Sequence, residues 1–258
     1  MKLTALITGA SSGLGAEFAR MYAEEGFNLV LVARRKDRLK ALKKEIEGNY
    51  DCKVWVFEQD LSKKNAAKNV YEFTESNKIK IASLVNNAGF SDFGNFWEND
   101  EKRQRELMQV NVVTLVELTR LYLPEMIKTA NGSILNIASV ASLCAGPKMA
   151  LYFASKAFVR SFSESLTEEL EGSGVTVTAI CPGPIKTEFE EVSGMQGQSK
   201  MFTLLRATTP NKNAKTGFKA LNKGKALVYC GGIGKFMNIG TRLLPRRTCA
   251  KIAKYINS

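Results

Sequence analysis

Short apolar runs alternate with amphipathic helical runs along nearly the whole chain, and no other feature of the sequence restricts the fold as much. The apolar runs cover residues 3–7, 28–33, 53–57, 82–85, 133–138, 175–180 and 226–230. Helical patterns fill the intervals at 16–25, 36–47, 63–75, 101–128, 150–171 and 213–221. Parallel strands need long crossovers, and helices supply them while covering the sheet, so this pattern predicts a parallel sheet with helices on both faces. A chain of 258 residues, 45% hydrophobic, is ample for one large α/β domain spanning 1–258 with a sizeable core. No further internal repeat and no low-complexity linker interrupt it.

The first strand runs into Thr8-Gly9-Ala10-Ser11-Ser12-Gly13-Leu14-Gly15, which opens the first helix. Glycines there permit a tight turn and close backbone approach, and the helix N-terminus presents oriented N–H groups, a cradle for the pyrophosphate of a dinucleotide. The Gly-x-x-x-Gly-x-Gly spacing departs from the commoner Gly-x-Gly-x-x-Gly, and by itself it also fits an ordinary βα turn.

Further along, Tyr152 and Lys156 stand four residues apart in Tyr-Phe-Ala-Ser-Lys, with Ser139 thirteen residues before the tyrosine. Four residues is just over one helical turn, so the phenol and the ammonium share a face. A phenol titrates near pH ~10, and an adjacent cation is expected to lower that value. With a hydroxyl to hold an oxygen, the trio reads as a proton-transfer device between an alcohol and a ketone. The chain contains no histidine, which excludes histidine-based triads and argues against a transition-metal site.

In this order, the motifs resemble the short-chain dehydrogenase/reductase family over about residues 2–187. The resemblance implies a Rossmann-like doubly wound parallel sheet of about seven strands. Gly9, Ser11, Ser12, Gly13, Leu14 and Gly15 match its cofactor loop, and Asp60-Leu61 its acidic contact to the adenine ring. Asn87, Ala88 and Gly89, in Asn86-Asn87-Ala88-Gly89, match the turn after the fourth strand. Pro182, Gly183, Ile185 and Thr187 match the loop that closes over the nicotinamide. Asn111, Ser139, Tyr152 and Lys156 match the catalytic set. By that resemblance Ser139 orients the substrate oxygen and Tyr152 is the general acid/base. Lys156 lowers the tyrosine pKa and holds the nicotinamide ribose, while Asn111 holds a water leading to solvent. No metal is implied. Ser142 is a further hydroxyl without an assigned role.

The second strand decides which nicotinamide dinucleotide is expected. Members that prefer NAD end this strand in an acidic residue that binds the ribose hydroxyls. Here Ala33 takes that place and Arg34 and Arg35 follow, which favours the extra phosphate of NADP(H) through charge-assisted hydrogen bonds. Two cations at a helix N-terminus oppose its dipole, so an anion is expected to compensate them.

For the substrate, Phe90, Phe93, Phe96, Trp97, Leu143, Met149 and Phe153 surround the motifs, and about half of such residues are expected in the core. The rest predict a pocket for a hydrophobic ketone, aldehyde or alcohol, such as a steroid or fatty-chain carbonyl. Residues 188–211 take the place of the family's substrate lid, with polar Ser193-Gly194-Met195-Gln196-Gly197-Gln198-Ser199 before apolar Met201-Phe202-Thr203-Leu204-Leu205. A 3-oxoacyl-carrier-protein reductase shares the same catalytic residues and stands as the alternative. In other classes stand a cofactor-sensing protein and a membrane- or nucleic-acid-binding protein.

Charge is unevenly placed. The net charge is +12, and residues 192–258 hold thirteen Lys and Arg with no Asp or Glu. Such a region is either a solvated basic face or the face of a phosphate-rich partner. Within the extension 235–258, Pro245 separates two short basic-apolar segments, with Ile252 and Ile256 at helical spacing. Packing on the domain or at a subunit interface is the favoured reading, ahead of contact with an anionic membrane surface, and the resemblance adds a homodimer or homotetramer. No apolar run approaches the ~20 residues of a membrane span. The first strand starts at residue 3, which leaves no expected leader, and five cysteines without C-x-x-C spacing read as reduced thiols in the cytoplasm.

Overall fold

The structure, a computed structural model, describes residues 2–195, 200, 205 and 207–257. The strands are β1 (Thr4–Thr8), β2 (Asn28–Ala33), β3 (Val54–Glu58), β4 (Ser83–Asn86), β5 (Gly132–Ile137), β6 (Val175–Cys181) and β7 (Leu227–Tyr229). The helices are α1 (Gly13–Glu24), α2 (Lys36–Asn49), α3 (Ala66–Ser76), α4 (Glu101–Met108), α5 (Thr114–Lys128), α6 (Ala150–Glu169), α7 (Phe189–Ser193), α8 (Pro210–Leu221), α9 (Gly231–Leu243) and α10 (Arg246–Ile256). All seven strands pair in parallel in the order β3-β2-β1-β4-β5-β6-β7.

Burial on both faces explains why the strand sequences are continuously apolar rather than alternating. Ala5, Ile7, Leu29 and Leu31 face a layer built from α1, α2 and α8. Their neighbours Leu6, Val30 and Val32 face the opposite layer of α3, α5 and α6. Removing each of the Leu, Ile and Val side chains among these from water stabilises by roughly 1.5–3 kcal/mol, which commits the runs to the interior.

Expected and observed elements differ mainly in three places. Residues 101–128 are not one uniform helix: a π-helical turn, Gln109–Val113, separates α4 from α5. The wider turn alters the helical phase and places Asn111 inside, 1% exposed. Helix α8 begins earlier than expected, because Thr209 caps Lys212 N–H and Pro210 suits the first turn. In the tail, the helix before Pro245 already starts at Gly231, and Pro245 ends it because the ring and the missing N–H cannot continue a helix. Part of the expected lid (196–199, 201–204 and 206) lies outside the described residues. Its base is pinned where Thr208 N–H donates to Pro184 (2.9 Å) and Lys186 N–H donates to Thr208 (3.0 Å).

The chain leaves β1 toward β2 on one side and returns on the other side at β4, so a crevice opens between the C-terminal ends of these two strands. A polar clamp fixes its walls. Thr8 Oγ1 donates to the Val85 carbonyl (3.2 Å) and accepts from the N–H groups of Asn87 and Ala88 (both 3.0 Å). Asn87 Nδ2 donates in turn to the carbonyls of Thr8 (2.8 Å) and Gly9 (3.2 Å). Gly15 lies directly beneath. A Cβ there would sit 2.4 Å from the Gly9 oxygen and 2.5 Å from Asn87 Nδ2, and backbone cannot yield as a flexible side chain can. Gly15→Ala is therefore expected to destabilise by about 1–3 kcal/mol, the usual cost of overpacking. Urea unfolding of the variant beside the parent checks this, and an unchanged midpoint contradicts it.

Candidate active site

A cavity of about 560 Å³ follows the crevice from the glycine turn to the C-terminal helices, within the usual size of small-molecule sites. All the predicted site residues line it except Gly15 and Asn111. Gly15 is a packing residue under Gly9. Asn111 is buried behind the Gly89–Phe90 turn. Its Oδ1 accepts from Phe90 N–H (3.1 Å), and its Nδ2 donates to the Phe90 carbonyl (3.0 Å) and to Ser155 Oγ (3.1 Å). Gly89 must be small here, since a Cβ would meet Asn111 Oδ1 at 3.1 Å and Lys156 Nζ at 3.3 Å.

Ser139 follows the end of β5, and Tyr152 and Lys156 lie in the first two turns of α6, so strand and helix converge on one point. Ser139 Oγ accepts from Ala141 N–H (3.1 Å) and hydrogen-bonds to the Tyr152 side chain. Lys156 Nζ donates to the Ile137 carbonyl (2.7 Å) and stands 5.8 Å from the centre of the Tyr152 ring.

Electrostatics here departs from the sequence expectation. The adjacent cation was expected to lower the Tyr152 pKa. Instead burial pushes the phenol up to about 12, only partly opposed by its hydrogen bond with Ser139. Burial acts on Lys156 in the opposite sense and lowers it to about 8, because a buried site disfavours the charged form of either group. The phenol is thus a proton donor at neutral pH, beside an amine that titrates just above it. Ser142 does not reach the cavity, and its hydroxyl lies 3.7 Å from Cys181 Sγ.

At the other end of the crevice, Ala33 leaves the end of β2 without a carboxylate, and Arg34 and Arg35 line the cavity. Arg35 reaches across the glycine turn, donating to Ser12 Oγ (2.7 Å) and Ser11 Oγ (3.2 Å). Its other branch pairs with Glu188 at the start of the expected lid (2.6 Å), and Arg38 pairs with the same carboxylate. Hydrogen bonds from Arg38 and Arg35 hold the Glu188 carboxyl at about 2. This carboxylate compensates Arg35, with Arg38 as its second partner, and does not pair with Arg34. Arg38 was not singled out from the sequence, although its position one helical turn after Arg35 carried the signal. On Asp60, burial opposes ionisation, but the N–H (3.0 Å) and hydroxyl (2.8 Å) of Ser62 prevail and keep the carboxyl low.

The residues present fit a nicotinamide dinucleotide. Ser12 begins α1 without a side-chain cap, which leaves the first N–H groups of the helix to an anion, and Gly9 and Gly13 hold left-handed backbone at the turn. Beyond Tyr152 the cavity becomes apolar. Phe90, Met149 and Phe153 line it as expected. Phe93 packs beside it, whereas Phe96 and Trp97 are exposed and Leu143 does not reach it, so those four do not build the pocket. Phe189, Val192, Met237 and Ile256 complete it from the lid and the tail. Phe189 and Val192 fall within the expected lid, whereas Met237 and Ile256 reach the pouch from the tail, for which packing on the domain was among the favoured readings.

Comparison with known proteins agrees with this geometry. The family model for short chain dehydrogenases matches residues 3–196. Sulfoacetaldehyde reductase 2 of Chromohalobacter salexigens is 36% identical over 80% of this chain and 81% of its own. A solved short-chain dehydrogenase from Sphingobium yanoikuyae in complex with NADPH is 30% identical, with a TM-score of 0.81 over 88% of this chain and 87% of that one. A structure described for the stereoselectivity of 7beta-hydroxysteroid dehydrogenase is 26% identical, with a TM-score of 0.87 over 97% of this chain and 96% of that one. The chain belongs to the short-chain dehydrogenase family, whose members are oxidoreductases acting on CH–OH groups and binding a nicotinamide cofactor.

The Tyr152 environment is directly testable. A difference absorbance titration of the parent against Tyr152→Phe is expected to show no Tyr152 phenolate at pH ~10, the ordinary tyrosine value. Its signal should emerge only toward about 12. Ionisation at or below the ordinary value contradicts the dominance of burial.

Proposed function

We propose that this protein is an NADP(H)-dependent reductase of a hydrophobic ketone or aldehyde, interconverting it with the corresponding alcohol. One observation carries the reading: a single cavity joins the glycine turn, the Ser139–Tyr152–Lys156 cluster and an apolar pouch. When bound, the nicotinamide supplies or accepts hydride.

The chain's own residues handle the oxygen and its proton. Ser139 Oγ accepts from Ala141 N–H and donates to the Pro182 carbonyl only at a long 3.5 Å, a weak contact that a substrate oxygen can replace. The Tyr152 hydroxyl donates its proton to that oxygen in reduction, and in oxidation the phenolate is the base. Lys156, near its titration point at neutral pH, returns a proton to the tyrosine and holds the nicotinamide ribose. Asn111 fixes the Gly89–Phe90 turn against Lys156 and, with its second carbonyl lone pair, holds the water that connects the lysine to solvent. Asp60 and Leu61 meet the adenine, and Pro182, Gly183, Ile185 and Thr187 close on the nicotinamide side. Arg34 and Arg35 meet the 2′-phosphate, in a place where Ala33 offers no repelling carboxylate. The pouch of Phe153, Phe189, Val192 and Met237 selects an apolar chain or ring system over a small sulfonated aldehyde. Assembly as a homodimer or homotetramer belongs to the same proposal.

The deciding experiment is turnover of steroids, fatty-chain carbonyls and sulfoacetaldehyde with NADPH and with NADH. Tyr152→Phe is expected to lower kcat by ~10²–10⁴ while leaving NADPH affinity intact, since only the transferable proton is lost. Retention of activity within a factor of ~3 sinks the general-acid role. Reduction should hold up to about pH 8 and decline above it as Lys156 loses its charge. Ala33→Asp combined with Arg34→Ile should reverse the cofactor preference toward NADH, read as the ratio of the two kcat/KM values. A parent that already uses NADH equally well refutes the phosphate reading.

A further inference from the structure

The two C-terminal helices present one face to the cavity and a different face to solvent. On α9, Met237, Gly240 and Thr241 line the cavity, while Phe236 (at the cavity's rim), Ile239 and Leu243 form an outward ridge, 72%, 59% and 79% exposed. Their i, i+3, i+7 spacing puts the three on a single stripe. On α10, Cys249 and Ala253 are buried against the domain, and Ile252 and Tyr255 remain exposed. The helix Arg246–Ile256 is held there by Asn257 Nδ2, which donates to the Pro147 carbonyl (2.9 Å). Packing therefore accounts for the inner faces, and not for the ridge.

Lys235, Arg242, Arg246, Arg247 and Lys251 are all exposed on the same two helices, and none of the five makes an ion pair among the described residues. No Asp or Glu occurs in 192–258 to neutralise them. Lys235 and Arg242 flank the apolar stripe on the side away from the cavity, as helical geometry requires of positions one before Phe236 and one before Leu243. A stripe of large apolar side chains bordered by cations is the arrangement that inserts shallowly between the acyl chains while pairing with anionic headgroups. A nucleic acid would satisfy the cations and leave the ridge in water. A second copy docked face to face would bring the same cations against each other, because a two-fold contact pairs identical surfaces.

We propose that this outer face docks the protein on an anionic lipid bilayer as a peripheral contact. Among the described residues no helix is long and apolar enough to cross a membrane, so the contact is one of lying on the surface. Phe236 and Ile252 are exposed and also line the cavity, so the rim of the cavity sits at the same surface. An apolar substrate dissolved among acyl chains would then meet the pouch without crossing water. This last consequence rests on the reductase reading, whereas docking does not.

The test is sedimentation of the full chain with vesicles of phosphatidylcholine alone or mixed with phosphatidylglycerol, in low and high salt. Binding is expected to the mixed vesicles at low salt and to weaken by ~10-fold or more at high salt, where exposed charges are screened. Arg242→Glu with Arg246→Glu is expected to reduce partition by ~10-fold or more, since each cation adds several-fold at an anionic surface. Ile239→Ser with Leu243→Ser should reduce it by a similar ~10-fold through lost apolar insertion. These four residues do not line the cavity, so both double variants should keep the parent's turnover of a water-soluble substrate and its circular dichroism spectrum. The proposal is overturned by absence of binding to mixed vesicles at low salt, or by partition that neither double variant changes. It is equally overturned by tighter binding to a short DNA duplex than to vesicles, or by a dimer that the same variants dissociate. Loss of carbonyl reduction with binding intact would remove the reductase reading alone.

Discussion

The hydrogen-bonded clamp at the junction of β1 and β4 is the constraint on which the rest of the site depends. Thr8 Oγ1 and the Asn87 side chain tie the first glycine turn to the turn after β4 across the place where strand order reverses. A parallel sheet opens a crevice there because successive crossovers leave to opposite sides. Left loose, the two turns would not define a pocket. Tied together, they set the N-terminus of α1 on one wall and the Gly89–Phe90 turn on the other. Gly15 sits under the clamp, so helix and turn approach to a distance that no side chain would permit.

The second requirement is that the chemical groups be buried at the wall of this crevice. Low polarity around α6 drives Tyr152 and Lys156 apart in acidity, the phenol upward and the ammonium downward. The Ile137 carbonyl at the end of β5 receives the Lys156 ammonium, so the sheet itself sets the position of the charge. The π-helical turn serves the same end by directing Asn111 inward, where it joins the backbone of Phe90 to Ser155 of α6. Each of these is a backbone event that fixes a side chain with chemical consequences.

Further out, Glu188 joins the segment after β6 to α2 through Arg35 and Arg38, which ties the glycine-turn end of the cavity to the start of its apolar end. The apolar end is completed by Phe189 and Val192 of α7, and by α9 and α10. Basic helices thus close an apolar pouch, and their outer surfaces carry a second amphipathic pattern that the domain does not cover.

Much of this was legible in the residues alone. Strand identity followed from continuous apolar runs, because a strand covered on both faces admits no alternation. The glycine turn, the Tyr152–Lys156 pair and the replacement of an acidic residue by Ala33 are local patterns, each spanning a few residues, and local patterns survive in sequence. Tertiary structure decided what depends on contacts between distant segments. The pKa directions of Tyr152 and Lys156 come from burial, which sequence spacing cannot express. The inward aim of Asn111 comes from an extra residue in one helical turn, invisible in a uniformly helical pattern. Phe96 and Trp97 turned out to be exposed while Met237 and Ile256 lined the pocket, since which apolar residues meet a cavity is settled by the path of the chain in three dimensions. Composition determined that the last quarter of the chain would be basic, and only the packing of α9 and α10 decided which of its faces is left to water.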